Sequence, residues 1–166
     1  GAVEHYMDWE LLKKHLPKNK NAKILDAAGG TGRITLPLAK MGYSVTLCDI
    51  SPAMLKVARK KLQKQGLLDK VKILECDVRH LDFPDKSFDF VICWNGGIEA
   101  SKELIRVTKK GGKISIFLVN KCGSAIDKFS QDPDSALALL RSKLGCVHHD
   151  EKKHLTVEIE DAQKLL

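Results

Sequence analysis

The residues best placed to do chemistry follow the first predicted strand, where a carboxylate leads into a glycine-rich turn. Residues 23–33 read Lys-Ile-Leu-Asp-Ala-Ala-Gly-Gly-Thr-Gly-Arg, so Asp26 stands just before the turn. Glycine lets the backbone approach a ligand closely and adopt positive φ, and the helix that follows begins with unpaired N–H groups. A nucleoside-bearing cofactor is a typical occupant of such a turn at the carboxyl ends of parallel strands.

Two further carboxylates follow the next two predicted strands. Asp49 ends the second strand and Asp77 comes directly after the third. A carboxylate offers two acceptor oxygens, so Asp49 could accept both hydroxyls of a ribose, and Asp77, beside the backbone of Val78, could hold an adenine edge. One such acid would be an ordinary helix cap. Three acids at successive strand ends, beside a glycine turn, indicate a binding site.

Alternating strand and helix patterns are what would bring these residues together. Strands are predicted over residues 24–27, 44–48, 71–75, 88–93 and 113–119. Helices are predicted over 33–41 and 101–108, and a third begins at Pro52 with Ser51 as its N-cap. Strand–helix–strand repetition predicts an α/β fold, a doubly wound, Rossmann-like and mostly parallel sheet with helices on both faces.

The composition is typical of one cytoplasmic domain spanning residues 1–166. The formal charge of +7 permits an anionic partner, but the lysines spread over helix faces, which favours a solvated surface. No stretch approaches the ~20 apolar residues of a membrane span. The scattered cysteines, five in number, predict reduced thiols and neither a disulfide framework nor a metal site.

On these residues the chain resembles the class I S-adenosylmethionine-dependent methyltransferases, over roughly residues 24–119. The family's first motif, acid-x-Gly-x-Gly-x-Gly, falls on Asp26, Ala28, Gly30 and Gly32. The resemblance implies that this turn, Gly29 included, cradles the methionine part of S-adenosylmethionine, with S-adenosylhomocysteine as the product. The family branch that the chain resembles most is the small-molecule and tRNA-modifying one related to ubiquinone/menaquinone methyltransferases, which implies a small-molecule or tRNA acceptor.

The resemblance also implies roles for residues after the second, third and fourth strands. Asp49 would bind the ribose and Ile50 would lie against the adenine. Asp77 would bind the adenine amino group, with Val78 supplying a backbone N–H, and Trp94 would line the methyl-transfer pocket. Because the sulfonium already makes the methyl group electrophilic, alignment is the protein's main task, and no residue is assigned as a general base.

Departures from the family pattern carry three expectations. Ala28 replaces the first glycine, a mild change if its φ stays negative. The passage from the fourth strand into the next helix is short, so a loop is expected to be missing at the Ile98–Glu99 junction. The chain is also expected to lack the final antiparallel hairpin of the fold.

Two alternative functions remain open from the sequence. An NAD(P)-dependent oxidoreductase shares the fold and the acid after the second strand, but its fingerprint needs a small residue where this chain has Thr35, and no Tyr-x-x-x-Lys pair is evident. The other alternative is a non-catalytic domain that binds S-adenosylmethionine as a structural or regulatory ligand.

Overall fold

A computed structural model of the chain describes residues 2–94, 100–117, 146–149 and 154–158. These residues form a seven-stranded sheet in the order β3-β2-β1-β4-β5-β7-β6. The strands are β1 (Lys23–Ala27), β2 (Ser44–Asp49), β3 (Val71–Glu75), β4 (Phe88–Cys93), β5 (Thr108–Phe117), β6 (Cys146–His149) and β7 (His154–Glu158). The first five pair in parallel, and β7 runs antiparallel to both of its neighbours, β5 and β6.

Helices cover both faces of the sheet. They are α1 (Ala2–His15), α2 (Thr35–Lys40), α3 (Pro52–Lys64) and α4 (Ser101–Val107), with a 3₁₀ turn at Leu68–Lys70. One apolar core lies between the sheet and α1 to α3, around Leu12, Leu38 and Leu62. The other lies beneath α4, around Leu104 and Ile105. The predicted doubly wound α/β fold is therefore confirmed.

Local signals place the first four strands and α3 well. Ser51 caps α3 by accepting a hydrogen bond from the Met54 N–H at 3.4 Å, and Pro52 is the first helical residue, as predicted. The fifth strand, predicted over residues 113–119, instead begins at Thr108. Residues 109–112 lie inside β5, where the register jumps between the pairs Phe88↔Thr108 and Phe90↔Lys113. Gly111, with φ of +74°, allows that irregularity.

The expectation that the antiparallel hairpin would be missing is wrong. β6 and β7 form an antiparallel pair, and β7 pairs with β5 from Lys113↔Glu158 to Phe117↔His154. The physical reason is that β5 would otherwise expose a row of unpaired backbone groups along its outer edge, and β7 satisfies them.

The expectation of a missing loop at the Ile98–Glu99 junction falls outside the described residues. Among the described helices, none combines the length and apolar character that crossing a membrane requires.

Candidate functional site

The glycine turn connects the end of β1 to α2 and is fastened to the end of β2. The Gly29 N–H donates to the Cys48 carbonyl at 3.1 Å, and the Gly32 N–H donates to the Gly29 carbonyl at 3.0 Å. Gly30 and Gly32 have φ of +55° and +71°, which glycine adopts without steric cost. The turn is therefore a fixed loop at the carboxyl edge of the parallel strands, the edge where α/β sheets bind ligands.

Gly29 is required by packing and not by its dihedral angles. A Cβ at this position would overlap a methyl group of Leu47 and lie 2.6 Å from the carboxyl carbon of Asp26. The family motif leaves this position open, so no sequence pattern singles out Gly29 on steric grounds. Only a hydrogen fits between Gly29 and the side chains of Leu47 and Asp26.

Ala28 corrects one sequence expectation. Its φ is +55°, in the left-handed region. The expectation that an alanine here is a mild change required a negative φ. A side chain in that region costs roughly 1–2 kcal/mol, because Cβ crowds the following carbonyl. Ala28 therefore adopts a backbone conformation that is typical of glycine.

We expect Ala28→Gly to stabilise the protein. Relief of the left-handed strain is partly offset by roughly 0.4–1 kcal/mol of extra unfolded-state entropy, so the net gain is about 0.5–1 kcal/mol. Urea unfolding of the two proteins side by side measures it. A loss of stability would show that the Ala28 methyl group makes packing contacts that outweigh the strain.

Asp49 lies where β2 meets the glycine turn, and its carboxylate joins the two. One oxygen (Oδ2) accepts the Gly30 N–H at 2.8 Å and the other (Oδ1) accepts the Ser51 N–H at 2.9 Å. The residue is 9% exposed. Two carboxylate oxygens have about four acceptor sites, so each oxygen keeps a further site after these bonds. A diol placed over the turn could use both.

Asp26 is a second carboxylate at this edge, and it is buried. Thr35, on the first turn of α2, donates its hydroxyl to Asp26 Oδ2 at 2.6 Å. Burial raises the pKa of Asp26 to about 6, and the Thr35 hydrogen bond opposes that rise only in part. Sequence reasoning did not connect Thr35 with Asp26, although a threonine nine residues on at a helix start is a possible signal.

The raised pKa makes the stability of the protein depend on pH. Because the folded state holds the Asp26 proton more tightly than the unfolded state, this group's contribution is most favourable below pH 4. It is lost as pH rises from about 4 to 6, by about 3 kcal/mol. We expect urea unfolding to show this loss in the native protein relative to Asp26→Asn. A stability difference between the two that is the same at pH 4 and pH 7 would contradict the assignment.

Asp77 follows β3 and is held by Arg79. The Arg79 guanidinium donates to both Asp77 oxygens, at distances from 2.6 to 3.0 Å, and the Arg79 N–H donates to Oδ1 at 2.9 Å. These hydrogen bonds lower the pKa of Asp77 to about 2, so it is ionised at neutral pH. The sequence analysis singled out Asp77 but not the arginine two residues later that orients it.

Solvent exposure differs among three other predicted site residues, Ile50, Val78 and Trp94. Ile50 is 63% exposed, directly after Asp49, and Val78 is half-buried against the core beneath α4. Trp94 is 6% exposed and packs in the core under α1 to α3. Its indole N–H donates to the Ser115 hydroxyl on β5 at 3.2 Å. The structure thus places Trp94 at the predicted strand end but largely within the core.

A network from α4 supports the loop that carries Asp77. The Arg106 guanidinium donates to the carbonyls of Leu81 and Phe83, both at 2.7 Å. It also bonds both carboxylate oxygens of Glu103 and one of Asp85. Glu103 in turn accepts the Leu81 N–H at 2.7 Å. These hydrogen bonds therefore hold the loop between β3 and β4 against α4. Sequence patterns within the loop or within α4 do not reveal them.

Lys61, on α3, reaches the glycine turn from the other side. Its ammonium donates to the Thr31 hydroxyl at 3.1 Å and to the Thr31 carbonyl at 3.3 Å. Among the described residues, no group of three or more His, Cys, Asp or Glu side chains is arranged to hold a metal ion. The described site is thus an arrangement of carboxylates and backbone N–H groups suited to a ligand with hydroxyl and amino groups.

The chain matches one family model over more than half of its length. That model, described as a methyltransferase domain, covers residues 24–112. The matched region contains the glycine turn, Asp49, Asp77 and Trp94.

Individual relatives agree with the family match. The Pectobacterium carotovorum protein called ubiquinone/menaquinone biosynthesis C-methyltransferase UbiE is 34% identical over 111 residues, covering 61% of this chain and 44% of that protein. The Idiomarina loihiensis protein of the same name is 36% identical over 115 residues, covering 64% and 46%. The chain thus spans less than half the length of these curated relatives.

A solved structure shares the fold. A Pyrococcus horikoshii protein superimposes with a TM-score of 0.70 at 23% identity, covering 92% of this chain and 87% of the other. At that identity the likeness concerns the fold, and the sheet described above is the part that is shared.

Proposed function

Since the chain belongs to the class I S-adenosylmethionine-dependent methyltransferases, we propose that it binds S-adenosylmethionine at the carboxyl edge of its sheet and transfers the methyl group to a small molecule. The observation that carries the proposal is the position of the Asp49 carboxylate. It accepts one N–H from the glycine turn and one from the cap of α3 and keeps an acceptor site on each oxygen. The two hydroxyls of a ribose match that arrangement.

The glycine turn and Asp26 would hold the methionine part of the cofactor. Ala28, Gly30 and Gly32 have positive φ, and the three glycines of the turn carry no side chain, so the backbone can approach a ligand closely. Asp26 is buried beside it with a pKa of about 6. A cation placed near Asp26 would favour its ionised form, so cofactor binding would be accompanied by proton release below pH 6.

Asp77, Val78 and Ile50 would hold the adenine. Arg79 keeps Asp77 ionised and fixes both of its oxygens, which leaves the carboxylate as an oriented acceptor for an amino group. Ile50 offers an exposed apolar surface beside Asp49, suited to cover an aromatic ring. The Val78 N–H is proposed as the donor to the adenine ring.

The chain's own residues would act by alignment. Bound S-adenosylmethionine supplies an electrophilic methyl group, so the protein needs to fix its position against the acceptor. The buried Trp94 contributes through the core at the end of β4, where it ties β4 to β5 through Ser115. We propose that its ring forms the floor of the methyl-transfer pocket.

We propose a small molecule as the acceptor, because the curated relatives are named for methylation of a carbon atom in ubiquinone and menaquinone biosynthesis. A cytoplasmic location, predicted from the scattered cysteines, stays a prediction. The oxidoreductase alternative loses support because Thr35 occupies the position that its fingerprint keeps small. There it is buried and bonded to Asp26.

Isotope transfer tests the proposal. The protein is incubated with S-adenosylmethionine carrying a deuterated methyl group and with cell extract divided into a small-molecule and a tRNA fraction. We expect mass spectrometry to find the label in the small-molecule fraction, and to find far less with Asp49→Ala. Label confined to tRNA would overturn the choice of acceptor. Saturable cofactor binding without label in either fraction would favour the non-catalytic alternative.

A further inference from the structure

A cavity of about 350 Å³ lies at the opposite edge of the sheet from the cofactor site. Its walls are residues 14–18, at the end of α1 and just after it, residues 89 and 90 of β4, and residues 109–113 of β5. The strand residues among them lie in the amino-terminal parts of β4 and β5, whereas the cofactor site is at the carboxyl ends of β1, β2 and β3. A strand of five or six residues separates the two sites by roughly 17–20 Å.

The cavity wall is strongly basic. The lysines that line it come from the segment at the end of α1 and from β5: Lys14, Lys18, Lys109, Lys110 and Lys113. Asp89 is the one acidic residue among the described residues that line it. The accessible apolar part of the wall comes from Leu16 and Pro17, since Phe90 behind them is fully buried.

Asp89 neutralises only one of these lysines. Its Oδ1 accepts the Lys109 ammonium at 2.7 Å, and its Oδ2 accepts the Lys23 N–H at 2.8 Å, which fixes the start of β1. Although burial alone would raise it, these hydrogen bonds lower the pKa of Asp89, so the carboxylate is ionised at neutral pH. Among the side chains that the structure describes, three lining lysines lack a carboxylate partner, namely Lys14, Lys18 and Lys110. Lys113 stands opposite Glu158 of β7 in the strand register.

The end of α1 does not account for this charge. Lysines in the last turn of a helix interact favourably with its carboxyl-terminal dipole, which explains Lys14. Lys18 lies beyond the helix, and Lys110 and Lys113 come from β5. Cationic groups that converge on one concave site from separate elements repel each other and favour a bound anion.

We propose that this cavity binds a phosphate-bearing small molecule with at least two negative charges. Lysine ammonium groups bind phosphates as point charges, and the volume is within the range of small-molecule sites. A concave wall suits a compact diphosphate better than the extended backbone of a nucleic acid. Leu16 and Pro17 would contact any uncharged remainder of the ligand.

Titration calorimetry with inorganic pyrophosphate tests this proposal independently of the methyltransferase function. We expect saturable binding of one pyrophosphate per chain that weakens as salt is added, because charge contacts near a surface are screened. The cavity variant carries Lys14→Ala, Lys110→Ala and Lys113→Ala together. The matched control carries Lys56→Ala, Lys60→Ala and Lys64→Ala, which remove three exposed lysines of α3.

The cavity variant should bind pyrophosphate at least tenfold more weakly, and the α3 variant within twofold of the native protein. Adenosylhomocysteine should bind both variants as it binds the native protein, which also shows that they are folded. The single variant Lys110→Glu, at an exposed position, repeats the test with a smaller change. Tighter binding of ADP than of pyrophosphate would support the proposal and assign the apolar wall to a nucleoside.

Three results would overturn the proposal. Equal weakening in the cavity and α3 variants would mean that pyrophosphate binds to lysines in general. Binding that does not saturate would exclude a defined site. Binding of single-stranded RNA without binding of pyrophosphate or ADP would assign the surface to a nucleic acid instead.

Discussion

Asp49→Ala should lower the affinity for adenosylhomocysteine at least tenfold while the protein remains folded. The carboxylate would make two charge-assisted hydrogen bonds to the ribose, each worth on the order of 1.5–3 kcal/mol. The variant also removes the acceptor of the Gly30 and Ser51 N–H groups, which loosens the turn. Calorimetry gives the affinity, and thermal unfolding without ligand confirms the folded state.

Two controls separate ribose binding from a structural role of Asp49. Asp69→Ala removes an exposed acid from the 3₁₀ turn and should leave the affinity within twofold. An adenosylhomocysteine analogue without the ribose 2′-hydroxyl should bind the native protein weakly, but should lose little more affinity in Asp49→Ala. Independent, additive losses from the analogue and the variant would place the ribose elsewhere.

Of the single substitutions proposed here outside the apolar core, Arg106→Ala should be the most destabilising. Its guanidinium makes five hydrogen bonds and is 23% exposed. Removing it leaves the carbonyls of Leu81 and Phe83 without these donors and leaves Glu103 with the Leu81 N–H alone. Allowing for partial solvent screening, we expect a loss of about 3 kcal/mol in the free energy of unfolding.

Two companion variants test whether the geometry of Arg106 matters. Arg106→Lys keeps the charge but lacks the planar fork, so it should recover less than half of the lost stability. Arg79→Ala removes a solvent-exposed pair and should lower the free energy of unfolding much less than Arg106→Ala does. If Arg106→Ala and Arg79→Ala lower the free energy of unfolding equally, the hydrogen bonds of Arg106 do not anchor the loop between β3 and β4.

The same network has a pH signature. The hydrogen bond from Arg106 lowers the pKa of Glu103 below its usual value. A lowered carboxyl pKa contributes stability that is present above the unfolded value of about 4.5 and is lost as pH falls through the folded value. Arg106→Ala should therefore lose less stability than the native protein on acidification below pH 4.5.

The sequence predicted the elements that carry the site better than it predicted the site's internal contacts. β3 and β4 match their predicted limits, and Ser51 caps α3 as expected, because these signals are local. The positive φ of Ala28 was not predicted, because it depends on the distant contacts of the next residue, Gly29, with Leu47 and the Cys48 carbonyl.

The sequence also did not predict the long-range side-chain contacts. Arg106 lies more than 20 residues from the loop carbonyls it binds, and no pattern within α4 indicates such partners. The role of Trp94 in the methyl-transfer pocket, which the family resemblance implies, stays a prediction, whereas its burial in the core and its hydrogen bond to Ser115 were not predicted. The residues and their strand ends were readable from the sequence, whereas their partners required the fold.

Calorimetric titration of the protein with adenosylhomocysteine, and separately with NAD, tests the central claim most directly. We predict saturable binding of one adenosylhomocysteine per chain, weakened at least tenfold by Asp49→Ala, and no comparable heat with NAD. Saturable binding of NAD without binding of adenosylhomocysteine would contradict this account and assign the carboxyl edge of the sheet to a nicotinamide cofactor.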